Sequence, residues 1–256
     1  MADENKEPEK APPDESPETD KSPFILFEND KAKEHDCNIV VFCAHSDDQV
    51  IGAGGAIAKY YDEGYNVITV IMSQGEGSHP WLRKEPLARI RIQESEKAAR
   101  ILGIRRTIFF GMDEDKIYEG YVENAKVQDA VNSILEDYVP KKIIVHGDED
   151  PHPSHHQVFK VVKEAYQQLK EKYPEYGADV YTYDVWTLAN FRRKDRKWVY
   201  IDITKYFKKK ITAFYTFKTQ KVAIFTLWIT IYGKAIIYGL MSRYKFAERF
   251  AAISLD

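Results

Sequence analysis

The chain reads as an α/β protein, a Rossmann-like and mostly parallel sheet flanked by helices, with a disordered N-terminal tail. Three observations predict this. Short apolar, β-branched runs alternate with segments of helical period along most of the sequence. Strands that alternate with helices pair in parallel through right-handed crossovers. The 256 residues are 44% hydrophobic and 30% charged, which suits one sizeable core and does not require a second domain.

Residues 1–23 come first and stand apart. They carry eight acids, three lysines and several prolines, with almost no large apolar side chain. Such a segment cannot bury enough surface to offset its ordering entropy, so a disordered tail is expected, followed by one domain over 24–256. No basic start leads into an apolar stretch, so no secretory leader is expected. The net charge of −3 gives no reason to expect nucleic acid as a partner. The two cysteines, Cys37 and Cys43, make no disulfide framework and fit a reducing cytoplasm.

The elements follow in order. Asn38–Cys43 reads as a buried strand and Gln49–Glu63 as a helix. Asn66–Met72 is the next strand, and the helix Leu87–Leu102 stops at Gly103. Thr107–Phe110 predicts a short strand, Val122–Tyr138 a helix, Lys142–Val145 a strand and Gln157–Lys172 a helix. Val180–Trp186 and Trp198–Ile203 read as two late strands, with Asp202 and Thr204 placed to start another helix.

Residues 222–240 approach the length of a membrane span. Lys234, Gly233 and Gly239 interrupt them, which favours a pair of buried helices or a contact between subunits of a homo-oligomer over a bilayer crossing. Lys208, Lys209, Lys210, Lys218 and Lys221 alternate with aromatic residues nearby. A membrane-surface role is the alternative to a solvated lysine face.

Two polar clusters sit where apolar runs stop. The first is Ala44-His45-Ser46-Asp47-Asp48 and the second is His152-Pro153-Ser154-His155-His156. In parallel sheets, ligands bind at the carboxyl ends of strands, so both clusters point to one edge. Their imidazoles and carboxylates suit a zinc-type divalent ion with one position left for water. His45 and Asp48, three apart on a turn entering a helix, can face one ion. Asp47 then lies beside it, where a general base belongs. Ser46, Asp47 and Asp48 are also good helix caps, and the cap reading competes with the metal reading for this cluster. In the second cluster, one of His152 and His155 can complete the metal shell while the other meets an oxyanion. A surface loop with chance histidines is the competing reading there. Four of the seven histidines fall within His146–His156, which weakens it. The glycines 52, 54 and 55 do not have dinucleotide-loop spacing. They let a helix approach the sheet closely.

The pattern His45-x-Asp47-Asp48-x3-Gly52-x-Gly54-Gly55, with His152-Pro153-x-His155 about a hundred residues on, resembles the LmbE-like zinc deacetylases. That family includes the N-acetylglucosaminyl-phosphatidylinositol de-N-acetylases. Gln74-Gly75-Glu76-Gly77, the helix around Arg91 and Glu94, Val199–Thr204 with Lys210 and Ala213, and Ala247-Glu248-x-Phe250 are similar to its later segments. The resemblance implies zinc, or another divalent metal, on His45, Asp48 and His155. It further implies Asp47 as general base, His152 as oxyanion donor, and Arg91 and Asp113 as substrate contacts. The implied reaction removes an N-acetyl group from an amino sugar or its conjugate. Ser46, Gln49 and Ser154 depart from the family's usual proline, glutamate and aspartate. The alternative from another class is a non-catalytic membrane-surface or scaffold protein with a degenerate site.

Overall fold

The computed structural model describes residues 24–73, 84–119, 125–185 and 196–255. The tail at 1–23 and the segment Gln74–Gly77 lie outside them. Among the described residues the order is β1 (Ile25–Glu28), β2 (Cys37–Cys43), α1 (Asp48–Asp62), β3 (Tyr65–Ser73), α2 (Lys84–Leu102), β4 (Arg106–Met112) and α3 (Glu114–Tyr118). Then come α4 (Ala125–Tyr138), β5 (Lys142–His146), α5 (Pro153–Lys172), β6 (Asp179–Tyr183), β7 (Lys197–Asp202), α6 (Phe207–Phe214), α7 (Lys221–Ser242) and β8 (Ala247–Ile253).

The eight strands form one sheet in the order β1-β4-β3-β2-β5-β6-β8-β7. The inner strands β4, β3, β2, β5 and β6 pair in parallel. β1 pairs antiparallel with β4, while β8 runs antiparallel between β6 and β7. The mostly parallel sheet is therefore as the sequence predicts. The antiparallel β8 is the difference, because the long α6–α7 excursion returns the chain from the opposite end.

Both faces of the sheet are covered, so its central strands are apolar throughout rather than alternating. Ile39, Val41 and Cys43 of β2 face α1, α6 and α7, whereas Val40 and Phe42 face α4 and α5. The Gly52 and Gly55 face of α1 lies on the sheet. A Cβ at Gly52 would stand 2.1 Å from the Tyr183 ring, and one at Gly55 2.7 Å from Ile203. No other residue permits this approach, which carries the N-terminus of α1 to the strand ends.

A buried ion pair fixes α1 from the side. Lys210 Nζ donates to Glu248 Oε1 at 2.6 Å and to the Ile51 carbonyl at 2.7 Å. Glu248 also accepts the Gly55 and Ala56 N–H groups at 2.9 and 2.7 Å. α1, α6 and β8 thus meet at one satisfied charge pair.

Residues 222–240 belong to one continuous helix rather than to a pair of helices. Lys234 does not break it, because Nζ turns inward to the carbonyls of Asp184 (3.0 Å) and Val185 (3.1 Å). Gly239 lies under the returning chain, where a Cβ would be 2.7 Å from the Lys245 carbonyl. Among the described residues no helix is long and apolar enough to cross a membrane.

Replacing Lys210 by Met would leave the Glu248 carboxylate buried without its countercharge. The expected cost is about 3 kcal/mol, read as a lower urea midpoint. Lys210→Met combined with Glu248→Gln should recover much of it. An unchanged midpoint in the single variant would show that the pair does not stabilise the fold.

Candidate metal centre

The chain order reverses between β2 and β5. From β2 the sheet grows one way through β3 and β4, and from β5 the other way through β6. That switch point opens a crevice at the carboxyl ends of the strands. His45–Asp48 leave β2 there and His146–His155 leave β5 there, which is how two motifs about a hundred residues apart meet.

Asp48 stands at the middle. Its Oδ2 accepts the His45 N–H at 2.7 Å. The same oxygen lies 3.3 Å from His45 Nδ1, 3.2 Å from His146 Nε2 and 3.6 Å from His155 Nε2. Burial disfavours its charge, but the three imidazoles outweigh burial and hold the carboxyl well below its ordinary range. Asp47 occupies the N-cap position of α1, yet its side chain makes no capping hydrogen bond. Burial and the Asp48 charge push its carboxyl up, against the pull of His45 and Arg91.

His152 is the N-cap residue of α5, with Pro153 in the first turn. Its extended backbone is what a residue before proline prefers. Its ring meets that of His45 edge-on at 4.9 Å and stacks on that of His155 at 4.7 Å. Burial and the His45 charge lower its pKa, which favours the neutral imidazole. His156 turns away, its Nε2 against the Asp150 carbonyl.

Potential donor atoms fall into two overlapping groups that share His155: His45–His152–His155 and Asp48–His146–His155. The predicted set His45, Asp48 and His155 draws on both. His146 reads as a brace in this cluster. Its Nε2 already accepts the Ala44 N–H at 2.9 Å, and its ring stacks on His155 at 3.7 Å. The donor chemistry fits a divalent cation. His155 Nε2 is buried with no hydrogen-bond partner, beside a carboxylate held in its charged form. His155 itself is pushed down to about 3 by burial and by His146, so it offers a neutral nitrogen. His45 behaves oppositely. Burial works against its charge, but Asp48 and Glu114 raise it to about 10, so in the metal-free site a proton occupies His45.

Sequence reasoning missed three residues here. Asp150, fully buried, places Oδ1 2.9 Å from His155 Nδ1 and accepts the His152 N–H at 3.1 Å and the Val185 N–H at 3.0 Å. It ties both histidines to the end of β6. Glu114 Oε1 lies 3.2 Å from His45 Nε2, and the charges of His45, His152 and Arg91 lower its pKa against burial. The predicted Asp113 is the N-cap of α3, accepting the Asp115 N–H at 3.2 Å, and its neighbour Glu114 reaches His45. His146 was counted among the clustered histidines without a role. A carboxylate two residues before His152 was the legible signal for Asp150; nothing in the sequence separated Glu114 from Asp113. Arg91 is buried, and its charge acts on both Asp47 and Glu114.

Ser46, Gln49 and Ser154 all lie buried in the two motifs. Gln49 Nε2 donates to the Ser46 carbonyl at 2.8 Å and to Ser95 Oγ at 3.3 Å, joining α1 to α2. The Oγ atoms of Ser46 and Ser154 are buried with no hydrogen-bond partner.

Fold and site together define an α/β protein with a buried acid–histidine centre at its switch point. Residues 40–166 match the family model described as PIG-L, GlcNAc-PI de-N-acetylase, and the chain belongs to this LmbE-like family. Solved structures with the same fold include the N,N'-diacetylchitobiose deacetylase of Pyrococcus horikoshii, 22% identical with a TM-score of 0.70, over 85% of this chain and 84% of that one. The 4-carboxy-2-hydroxymuconate hydratase of Pseudomonas putida is also 22% identical, with a TM-score of 0.66 over 85% and 96%. A deacetylase from the teicoplanin biosynthesis pathway is 13% identical, with a TM-score of 0.66 over 84% and 96%. At these identities the likeness establishes the fold alone.

Two outcomes follow from the geometry. Asp150→Asn should weaken metal affinity about 10- to 100-fold, measured by chelator competition on folded protein. Unchanged affinity would exclude Asp150 as the group that orients His155. Because a proton must leave His45 before it can ligate, apparent metal affinity should rise from about pH 6 to about pH 8. A flat profile would remove His45 from the shell.

Proposed function

We propose that this protein is a metal-dependent N-deacetylase that removes an acetyl group from an amino sugar or amino-sugar conjugate. Family membership supports N-deacetylase activity. The observation that carries the reading is Asp47. It is a buried carboxylate at a helix cap that does no capping, next to a donor set suited to zinc.

His45, Asp48 and His155 would hold the ion, with Asp150 behind His155. When bound, a divalent ion polarises the amide carbonyl and lowers the pKa of water. Asp47, its pKa raised, takes the proton of the attacking water as that oxygen bonds to the acyl carbon. His152 donates a hydrogen bond to the oxyanion from its neutral ring. Asp47 then returns the proton to the amine nitrogen as the C–N bond breaks, leaving acetate and a free amine. Arg91 and Glu114, with Asp113 at the start of α3, would meet the polar groups of the sugar. The unpaired Cys37 and Cys43 support action in a reducing, cytoplasmic setting. The assembled donor set favours this enzyme over a scaffold with a degenerate site.

The decisive experiment pairs elemental analysis with acetate release from a panel of N-acetylated sugars. Asp47→Asn should keep about one metal per chain and lose turnover by about 10²- to 10⁴-fold. Full activity in that variant would exclude Asp47 as the base. His155→Ala should lose the metal, and undiminished metal content would show that the shell is misassigned.

A further inference from the structure

Helix α7 turns an uncharged apolar face to water. Ile229, Ile236, Ile237, Leu240, Met241 and Tyr244 are each between 37% and 76% exposed, with Leu240 the most exposed. They form two ridges at fourfold spacing. Trp228, Tyr232, Ile236 and Leu240 make one, and Ile229, Gly233, Ile237 and Met241 make the other. Lys234, the ionisable side chain within this stretch, points inward to the end of β6. A contiguous row of exposed large apolar side chains like this marks an interaction surface.

The face is also shaped. A Cβ at Gly233 would meet nothing within 4 Å, so the ridge has an open notch there. The most prominent side chain, Leu240, lies seven residues on. A two-fold axis between Ile236 and Ile237 brings Leu240 of one copy onto Gly233 of the other. In the same antiparallel register Tyr232 meets Met241. A surface whose bulge fits its own notch under a two-fold rotation is self-complementary, as a symmetric dimer requires. A fluid bilayer would make no use of the notch.

We infer that the protein forms a homodimer in which α7 packs antiparallel on α7 of a second copy, with Leu240 of each seated on Gly233 of the other. Analytical ultracentrifugation of the full chain tests this. The wild type should sediment as a dimer, and Leu240→Glu should weaken the dimer about 30-fold or more while the far-UV circular dichroism stays that of the folded chain. Gly233→Glu fills the notch and should also weaken it. Gly233→Glu combined with Leu240→Lys should restore the dimer, because each new carboxylate then meets an ammonium of the other copy. Restoration supports the register even if a single variant folds poorly. A wild type that stays monomeric at about 100 µM would overturn the inference, as would a dimer indifferent to Leu240→Glu or a double variant that stays monomeric. Monomeric protein that cosediments with phosphatidylcholine vesicles would assign the face to lipid instead.

Discussion

The site depends on one buried oxygen. Asp48 Oδ2 accepts a backbone N–H from the first motif and lies within 3.6 Å of imidazole nitrogens from both. An isolated carboxylate could not be buried this deeply, because its desolvation would drive it to bind a proton. The surrounding imidazoles keep it charged, and that charge in turn draws a cation, whether a proton on His45 or a metal ion. The two strand ends therefore hold together through the electrostatic need that makes the place a binding site.

That oxygen is useful only where α1 puts it. The helix reaches the strand ends because glycine at 52 and 55 lets it lie on Tyr183 and Ile203. It is held there from the far side by Lys210 and Glu248, which reach its backbone from α6 and β8. Tyr183 serves both sides of this arrangement. Its ring takes the closest face of α1, while its hydroxyl donates to the Phe42 carbonyl at 3.0 Å and lies 3.2 Å from His146. Packing and site are thus built from the same contacts. Strand β8 helps to fix the middle of α1 at Gly55 and Ala56, although Glu248 is almost two hundred residues away in sequence.

The inner sheet was legible because its strands are apolar on both faces and each is followed by a segment of helical period. Strand β8 was not. Ala-Glu-Arg-Phe-Ala-Ala-Ile holds two charges whose partners, Lys210 for one and the Trp198 and Tyr238 rings for the other, exist only in the folded chain. Strand β1, four residues at the edge with Ile25 and Leu26 half exposed, leaves too short a pattern to read. α7 was misread as two helices because Lys234 looks like an interruption until its carbonyl partners are seen. In the site, the histidines and the paired aspartates were visible as clusters beside strand ends. Asp150 and Glu114 were not, since a single acid in a loop carries no period. What distinguishes each is a nitrogen of a histidine from elsewhere in the fold.

The fold by itself does not choose a reaction. Among its solved relatives are deacetylases and a hydratase, at the same order of identity to this chain. The choice must come from the groups around the donor cluster and what each of them is tied to. His146 is spent on Ala44 and Tyr183, Asp150 on His155 and two backbone N–H groups, and Gln49 on Ser46 and Ser95. Asp47 and His152 sit beside these residues, each at a helix start. One is a carboxylate whose affinity for a proton is raised, and the other an imidazole kept neutral by burial and by the His45 charge. An acceptor and a donor of that kind are what the proposed amide hydrolysis would need: a base for water and a partner for the oxyanion. Both are positioned by helix starts. Asp47 and His152 are the caps of α1 and α5, and neither spends its side chain on capping. The two helix starts therefore place these side chains at the site without using them as caps.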